Sequence, residues 1–195
     1  MTGALAPVRV LGLGNVLMGD DALGPWVVED LLARWEFPDG VSVVDVGTPG
    51  LDLTPYLADA EAVFLVDTVR AAGPPGAIRV YSRGQLLARG PQPRVSPHDP
   101  GLAEALFSLD FAGAAPKQVT LVGVIPEKVE KGVELSPAVR AAVPAASEEI
   151  AGRLGWLGLA PRRRPGASTF PWWQAPAGAR AMGAPPRRVE PSAVR

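Results

Sequence analysis

The chain has 195 residues, 47% of them apolar, with 19 basic side chains against 20 acidic ones, a single histidine and no cysteine. That composition suits one or two compact domains with a sizeable core. It excludes disulfides, thiolate metal sites, iron–sulfur clusters, cysteine nucleophiles and any site that needs two histidines from one chain.

Charge and proline divide the sequence unevenly. Residues 1–160 hold 12 basic and 19 acidic side chains, a net −7, whereas residues 161–195 hold 7 basic and 1 acidic, a net +6, with 7 of the 22 prolines. The acidic body disfavours nucleic acid as a partner. A secretory leader pattern and an apolar run of about 18 residues are both missing from the sequence, so the expectation is a cytoplasmic protein with no membrane insertion.

In chain order, Val8–Gly14 (VRVLGLG) reads as a buried strand closed by glycines. Leu23, Val27, Leu31 and Trp35 then repeat every four residues and predict one helical face, with Asp20 and Asp21 as cap candidates and Pro25 in the first turn. VSVVDV (41–46) and AVFLVD (62–67) predict buried strands with a short helix, 51–57, between them. Residues 77–81 predict an edge strand and 119–125 a central one. Asp99-Pro100 opens a helix carrying Leu102, Leu106 and Leu109. Ser136-Pro137 opens another, carrying Val139, Val143, Ile150 and Leu154, which Pro144 should kink or split. The alternation predicts a three-layer α/β/α sandwich around a mostly parallel sheet of about five strands. The organisation expected is an α/β domain over 1–160 and a Pro/Arg-rich disordered tail over 161–195. Truncation after Leu159 should then leave unfolding almost unchanged.

Three side chains stand out for chemistry. Asp21 follows the Gly12-Leu13-Gly14-Asn15 turn. Asp67 ends a predicted buried strand, where ligands of open α/β sheets bind. His98 lies in the stiff loop Ser96-Pro97-His98-Asp99-Pro100. Two carboxylates and an imidazole from three strand-end loops suit a borderline divalent ion such as Ni²⁺ or Zn²⁺, with positions left open for water or substrate. Other readings fit less well. The dinucleotide fingerprint needs a glycine where Leu17 stands. A serine nucleophile lacks its G-x-S-x-G elbow, and Asp67-Thr68 lacks the glycine and the second loop of a pepsin-type dyad.

Five segments in order, GLGNVLMGDDALG (12–24), VDVGTPGLDL (44–53), FLVDTV (64–69), SPHDPGL (96–102) and VTLVGVIPE (119–127), resemble those of the hydrogenase maturation proteases. The resemblance implies an endopeptidase that removes the C-terminal extension of a nickel-loaded [NiFe]-hydrogenase large-subunit precursor, and no organic cofactor. The family's metal ligands fall on Asp21, Asp67 and His98, as catalytic and nickel-recognising residues, the nickel being carried by the precursor. At position 21 some members have glutamate, one methylene longer, and many have glycine directly after the acidic pair, where Ala22 stands here. Asn15, Asp45, Gly47, Thr48 and Gly50 are expected in substrate binding. Two alternatives remain at this level: a non-catalytic chaperone that binds the precursor uncut, and an enzyme like the peptidyl-tRNA hydrolases, which share the G-L-G-N turn but use a histidine soon after it.

Overall fold

The structure, a computed structural model, describes residues 7–49, 53–88, 102–165 and 171–174. Five strands form the main sheet: β1 (Val8–Leu13), β3 (Val41–Gly47), β4 (Ala62–Thr68), β5 (Ile78–Ser82) and β6 (Gln118–Val124), in the order β3-β1-β4-β6-β5. All pairings are parallel except β5 with β6, so the expected edge strand is present and runs against the rest. β1 and β4 are buried along their whole length, which explains their unbroken apolar runs.

Alternation along the strands divides the core into two clusters. Val8, Val10, Phe64, Val66 and Val122 face α1 (Leu23–Arg34) and α5 (Pro137–Trp156). Leu11, Leu13, Val63, Leu65 and Leu121 face α2 (Thr54–Leu57), α3 (Arg83–Leu87) and α4 (Leu102–Ala112). The three layers follow directly from that period of two.

Two elements depart from the sequence reading. α5 runs unbroken over 20 residues through Pro144, so the proline does not split it. Pro144 and Arg140, whose carbonyl loses its helical donor, are both exposed, so water is available to that carbonyl. The segment after residue 160 is also not free of structure. Arg162–Arg163 form β7, antiparallel to β2 (Trp35–Glu36). Trp173 packs edge-on against Trp26 of α1 with ring centroids 5.9 Å apart, and Gln174 donates to Val133 O at 3.2 Å. A two-residue strand and one aromatic anchor have no period, and so leave no pattern to detect. Phe170 lies outside the described residues.

α1 presses unusually close to β1. A Cβ on Gly24 would sit 2.1 Å from Leu13 O and 2.7 Å from Val66 O, and one on Gly12 would sit 2.6 Å from Gly24 O. Only glycine allows this approach, which places the start of α1, and the turn before it, against the carboxyl ends of β1 and β4.

Candidate active site

Beyond β1 the chain turns at Gly14, whose φ of 142° and clearance leave no room for a side chain: a Cβ would lie 1.8 Å from Asp21 O. The Asn15 N–H donates to both Asp21 O at 3.1 Å and Asp21 Oδ2 at 2.9 Å. Asn15 Oδ1 accepts from Leu17 N at 3.0 Å, an Asx-type turn. The G-L-G-N motif is therefore a device that folds the chain back on Asp21. Asn15, expected at the substrate, holds the turn together. Asp21 itself is half-buried.

Asp20 is not the helix cap that its position suggested. It lies in a 3-10 turn, Gly19–Ala22, and neither this turn nor α1 has a side-chain cap. Its carboxylate is fully buried and turns away to the β6–α5 loop. There it accepts from Glu127 N at 2.9 Å, Lys128 N at 3.0 Å, Ser136 N at 2.6 Å and Ser136 Oγ at 2.9 Å. Sequence offers no signal for this role, because the partners lie 107 to 116 positions away.

Asp67 is fully buried at the end of β4, and its Oδ1 accepts from Thr68 N at 2.8 Å. Gly12 pairs with Val66, so Asp67 and the Gly14–Asp21 turn emerge at the same carboxyl edge of neighbouring parallel strands. Asp45 lies on β3, paired with Gly12, and its Oδ1 accepts from Gly47 N at 2.9 Å. Gly47, at φ 65°, accepts in turn from Gly14 N at 2.9 Å, so the end of β3 and the turn around Asn15 are in contact. Thr48 beside it is exposed. Gly50 and His98 lie outside the described residues.

The carboxylates divide between the two faces of the sheet. Residues of Asp45's parity, Val41 and Val43, pack on the α1 and α5 side, while Val63 and Leu65, of Asp67's parity, pack on the α2 to α4 side. Asp45 thus belongs with Glu29 of α1, a residue the sequence did not single out. Burial raises the Glu29 carboxyl above its usual range and the charge of Asp45 adds to the effect; Glu29 Oε1 is sealed with no hydrogen-bond partner. Among the described residues no three histidine, aspartate or glutamate side chains converge as a metal-holding group. The half-exposed carboxylate of Asp21 and the buried carboxylate of Asp67 are oxygen donors of the kind that can ligate a cation or take a proton from water, and the backbone N–H groups around them hold those carboxylates in place.

A family model described as hydrogenase maturation protease matches residues 25–153. The chain belongs to the hydrogenase maturation protease family. It is 37% identical over 153 residues to the hydrogenase 2 maturation protease of Escherichia coli K12, covering 78% of this chain and 93% of that protein. It is 31% identical over 165 residues to the hydrogenase expression/formation protein HupD of Rhizobium leguminosarum, covering 84% of this chain and 82% of that one. Among solved structures, the E. coli hydrogenase maturating endopeptidase HybD superposes with a TM-score of 0.74 at 36% identity, over 80% of this chain and 97% of that one. The family membership makes this chain an endopeptidase of hydrogenase maturation and sets aside the peptidyl-tRNA hydrolase alternative. No helix among the described residues is long and apolar enough to cross a membrane.

Proposed function

We propose that this endopeptidase removes the C-terminal extension of a nickel-loaded [NiFe]-hydrogenase large-subunit precursor, recognising the substrate's nickel through Asp21, Asp67 and His98. The observation that carries the reading is the emergence of Asp21 and Asp67 at one carboxyl edge of two adjacent parallel strands, in a member of this family. Two carboxylates and one imidazole form a weaker site than a multi-thiolate one, so occupancy depends on ligands that the precursor itself supplies. Loaded and empty precursors are told apart by that dependence.

Hydrolysis adds water to the scissile carbonyl, breaks the C–N bond and returns a proton to the leaving amine. Asp21 is the more exposed of the two carboxylates and is assigned to take the proton from water. Asp67, buried and held by Thr68 N–H, orients the site from beneath. The exposed Thr48 and the Gly47 turn line the neighbouring approach for the peptide.

The test is the mass of the large subunit after incubation with the protein, with and without nickel in the precursor. A C-terminally shortened product from loaded precursor alone is expected. An intact subunit in a stable complex would instead identify a chaperone, and equal cleavage of both precursors would remove nickel from the recognition step.

A further inference from the structure

The two consecutive aspartates of the first loop have opposite fates. Asp21 remains half-buried at the carboxyl edge of the sheet, while Asp20 is completely enclosed and spends both oxygens on four donors from a distant loop. The contact does not stop at the carboxylate. Met18 and Gly132 form a parallel bridge, with Gly19 N donating to Gly132 O at 2.9 Å and Gly132 N to Leu17 O at 3.0 Å. The Asp20 N–H points to Lys128 O at 3.4 Å. The turn that carries Asp21 is therefore zipped to the β6–α5 loop along both backbone and side chain.

The far side of this zipper is firm. Ser136 is the residue before α5, and its hydroxyl, which would ordinarily cap that helix, donates to Asp20 Oδ2. The carboxylate of Asp20 thus lies at the positive end of a 20-residue helix, bonded to the N–H and the hydroxyl of the residue that precedes it. Gln174 holds the same loop from outside through Val133 O and, at 2.9 Å, Glu134 Oε1. Successive Cα atoms lie about 3.8 Å apart, so fixing the side chain of Asp20 fixes the peptide from which Asp21 projects.

We propose that Asp20 is a positioning residue for the reaction: by anchoring on Ser136 and the amides of Glu127 and Lys128 it sets the place of the Asp21 carboxylate. This rests on the reading of Asp21 as a catalytic group. Fold stability alone would be served by any buried hydrogen-bonded pair. The specific consequence of positioning is a loss in the chemical step, since small misplacement of a reacting group costs up to about a hundredfold in rate.

The experiment compares Ser136→Ala, Asp20→Asn and Asp21→Asn in the full chain, using nickel-loaded precursor at a temperature where circular dichroism shows each variant folded. Ser136→Ala removes one of the four donors and leaves the backbone ones. Its kcat should fall about tenfold, with KM within about threefold of wild type. Asp20→Asn turns an amide N–H toward the N–H of Ser136 or toward those of Glu127 and Lys128, and should lower kcat about a hundredfold. Ser136→Thr, which keeps the hydroxyl, should recover kcat to within about threefold of wild type. Should Asp20→Asn not fold, Ser136→Ala and its recovery by threonine decide the matter. Wild-type kcat in folded Ser136→Ala and Asp20→Asn, alongside inactive Asp21→Asn, would overturn the positioning role and leave the site intact. A change in KM alone would overturn it too, assigning the loop to docking. Wild-type cleavage by Asp21→Asn would remove the site reading and this inference together.

Discussion

At the amino-terminal edge of the sheet, loops are tied by main-chain bonds: Glu61 N to Pro7 O at 2.8 Å, Val8 N to Gly40 O at 3.1 Å and Lys117 N to Ala60 O at 3.2 Å. The buried charge there, Arg9, donates to the carbonyls of Tyr56 and Ala58 at 2.9 Å. At the carboxyl edge main-chain bonds also tie the loops, Gly14 N to Gly47 O and Gly19 N to Gly132 O among them, but acidic side chains join in. Carboxylates take the main-chain N–H groups: Asp21 from Asn15, Asp45 from Gly47, Asp67 from Thr68, and Asp20 from Glu127, Lys128 and Ser136. One sheet thus collects carbonyls around a cation at one end and N–H groups around anions at the other. The strands run parallel, so loops leading from strand ends into helix starts gather at one edge and present their unpaired N–H groups there. Acidic side chains concentrate where those donors are, and the chemistry concentrates with them.

The largest effects are expected at the carboxyl edge. Asp21→Asn, Asp67→Asn and His98→Ala should each fold yet lose processing of nickel-loaded precursor by about 10²–10⁴-fold, read from the shortened large subunit by mass spectrometry. Any of the three with full activity counts against the site.

Gly24→Ala tests how the edge is built. A methyl group 2.1 Å from Leu13 O must push α1 off β1. A loss of about 3 kcal/mol is expected, equivalent to a fall in Tm of roughly 10 °C by calorimetry. An unchanged Tm would mean that the helix sits farther from the strand.

Truncation after Leu159 removes β7 and Trp173 together with the grip of Gln174 on the β6–α5 loop. The expected loss is about 2 kcal/mol and several degrees in Tm, so the estimate of no effect drawn from the aperiodic sequence is revised. A melt like that of the full chain would restore the estimate.

Glu29→Gln gives a smaller effect with a definite sign. The folded-state carboxyl of Glu29 is raised by burial and by Asp45, so the folded chain keeps a proton that the unfolded chain releases. Wild-type stability therefore falls as pH rises from the ordinary glutamate range through the raised value, and the glutamine variant escapes that fall. The variant should melt higher near neutral pH, with the advantage gone below about pH 4. A constant difference at all pH values would point to packing instead.

Least affected is the opposite edge. The Lys117–Glu61 pair at 2.7 Å is largely exposed, and Lys117→Ala should leave Tm within about a degree and cleavage unchanged.

Much of this was readable in the residues. The buried strands, the face of α1 and the Ser136-Pro137 helix start follow from local period and capping, because those depend on neighbours a few positions apart. The Gly14 turn and the place of Asp67 at a strand end were readable for the same reason. What stayed hidden depends on residues far apart. Asp20 and Asp21 look alike as a pair. Only folding sends one to Ser136 and leaves the other half-buried at the carboxyl edge, because the choice is set by which donors the β6–α5 loop brings near. Glu29 became notable only when alternation on β3 placed Asp45 beneath α1. Trp173 gained a partner only when Trp26 came within 5.9 Å. Short-range order is encoded by backbone geometry and apolar spacing, so the sequence alone determined the layers and the candidate edge. The division of labour among the carboxylates was decided by tertiary structure, since hydrogen-bond partners and burial exist only once distant segments meet.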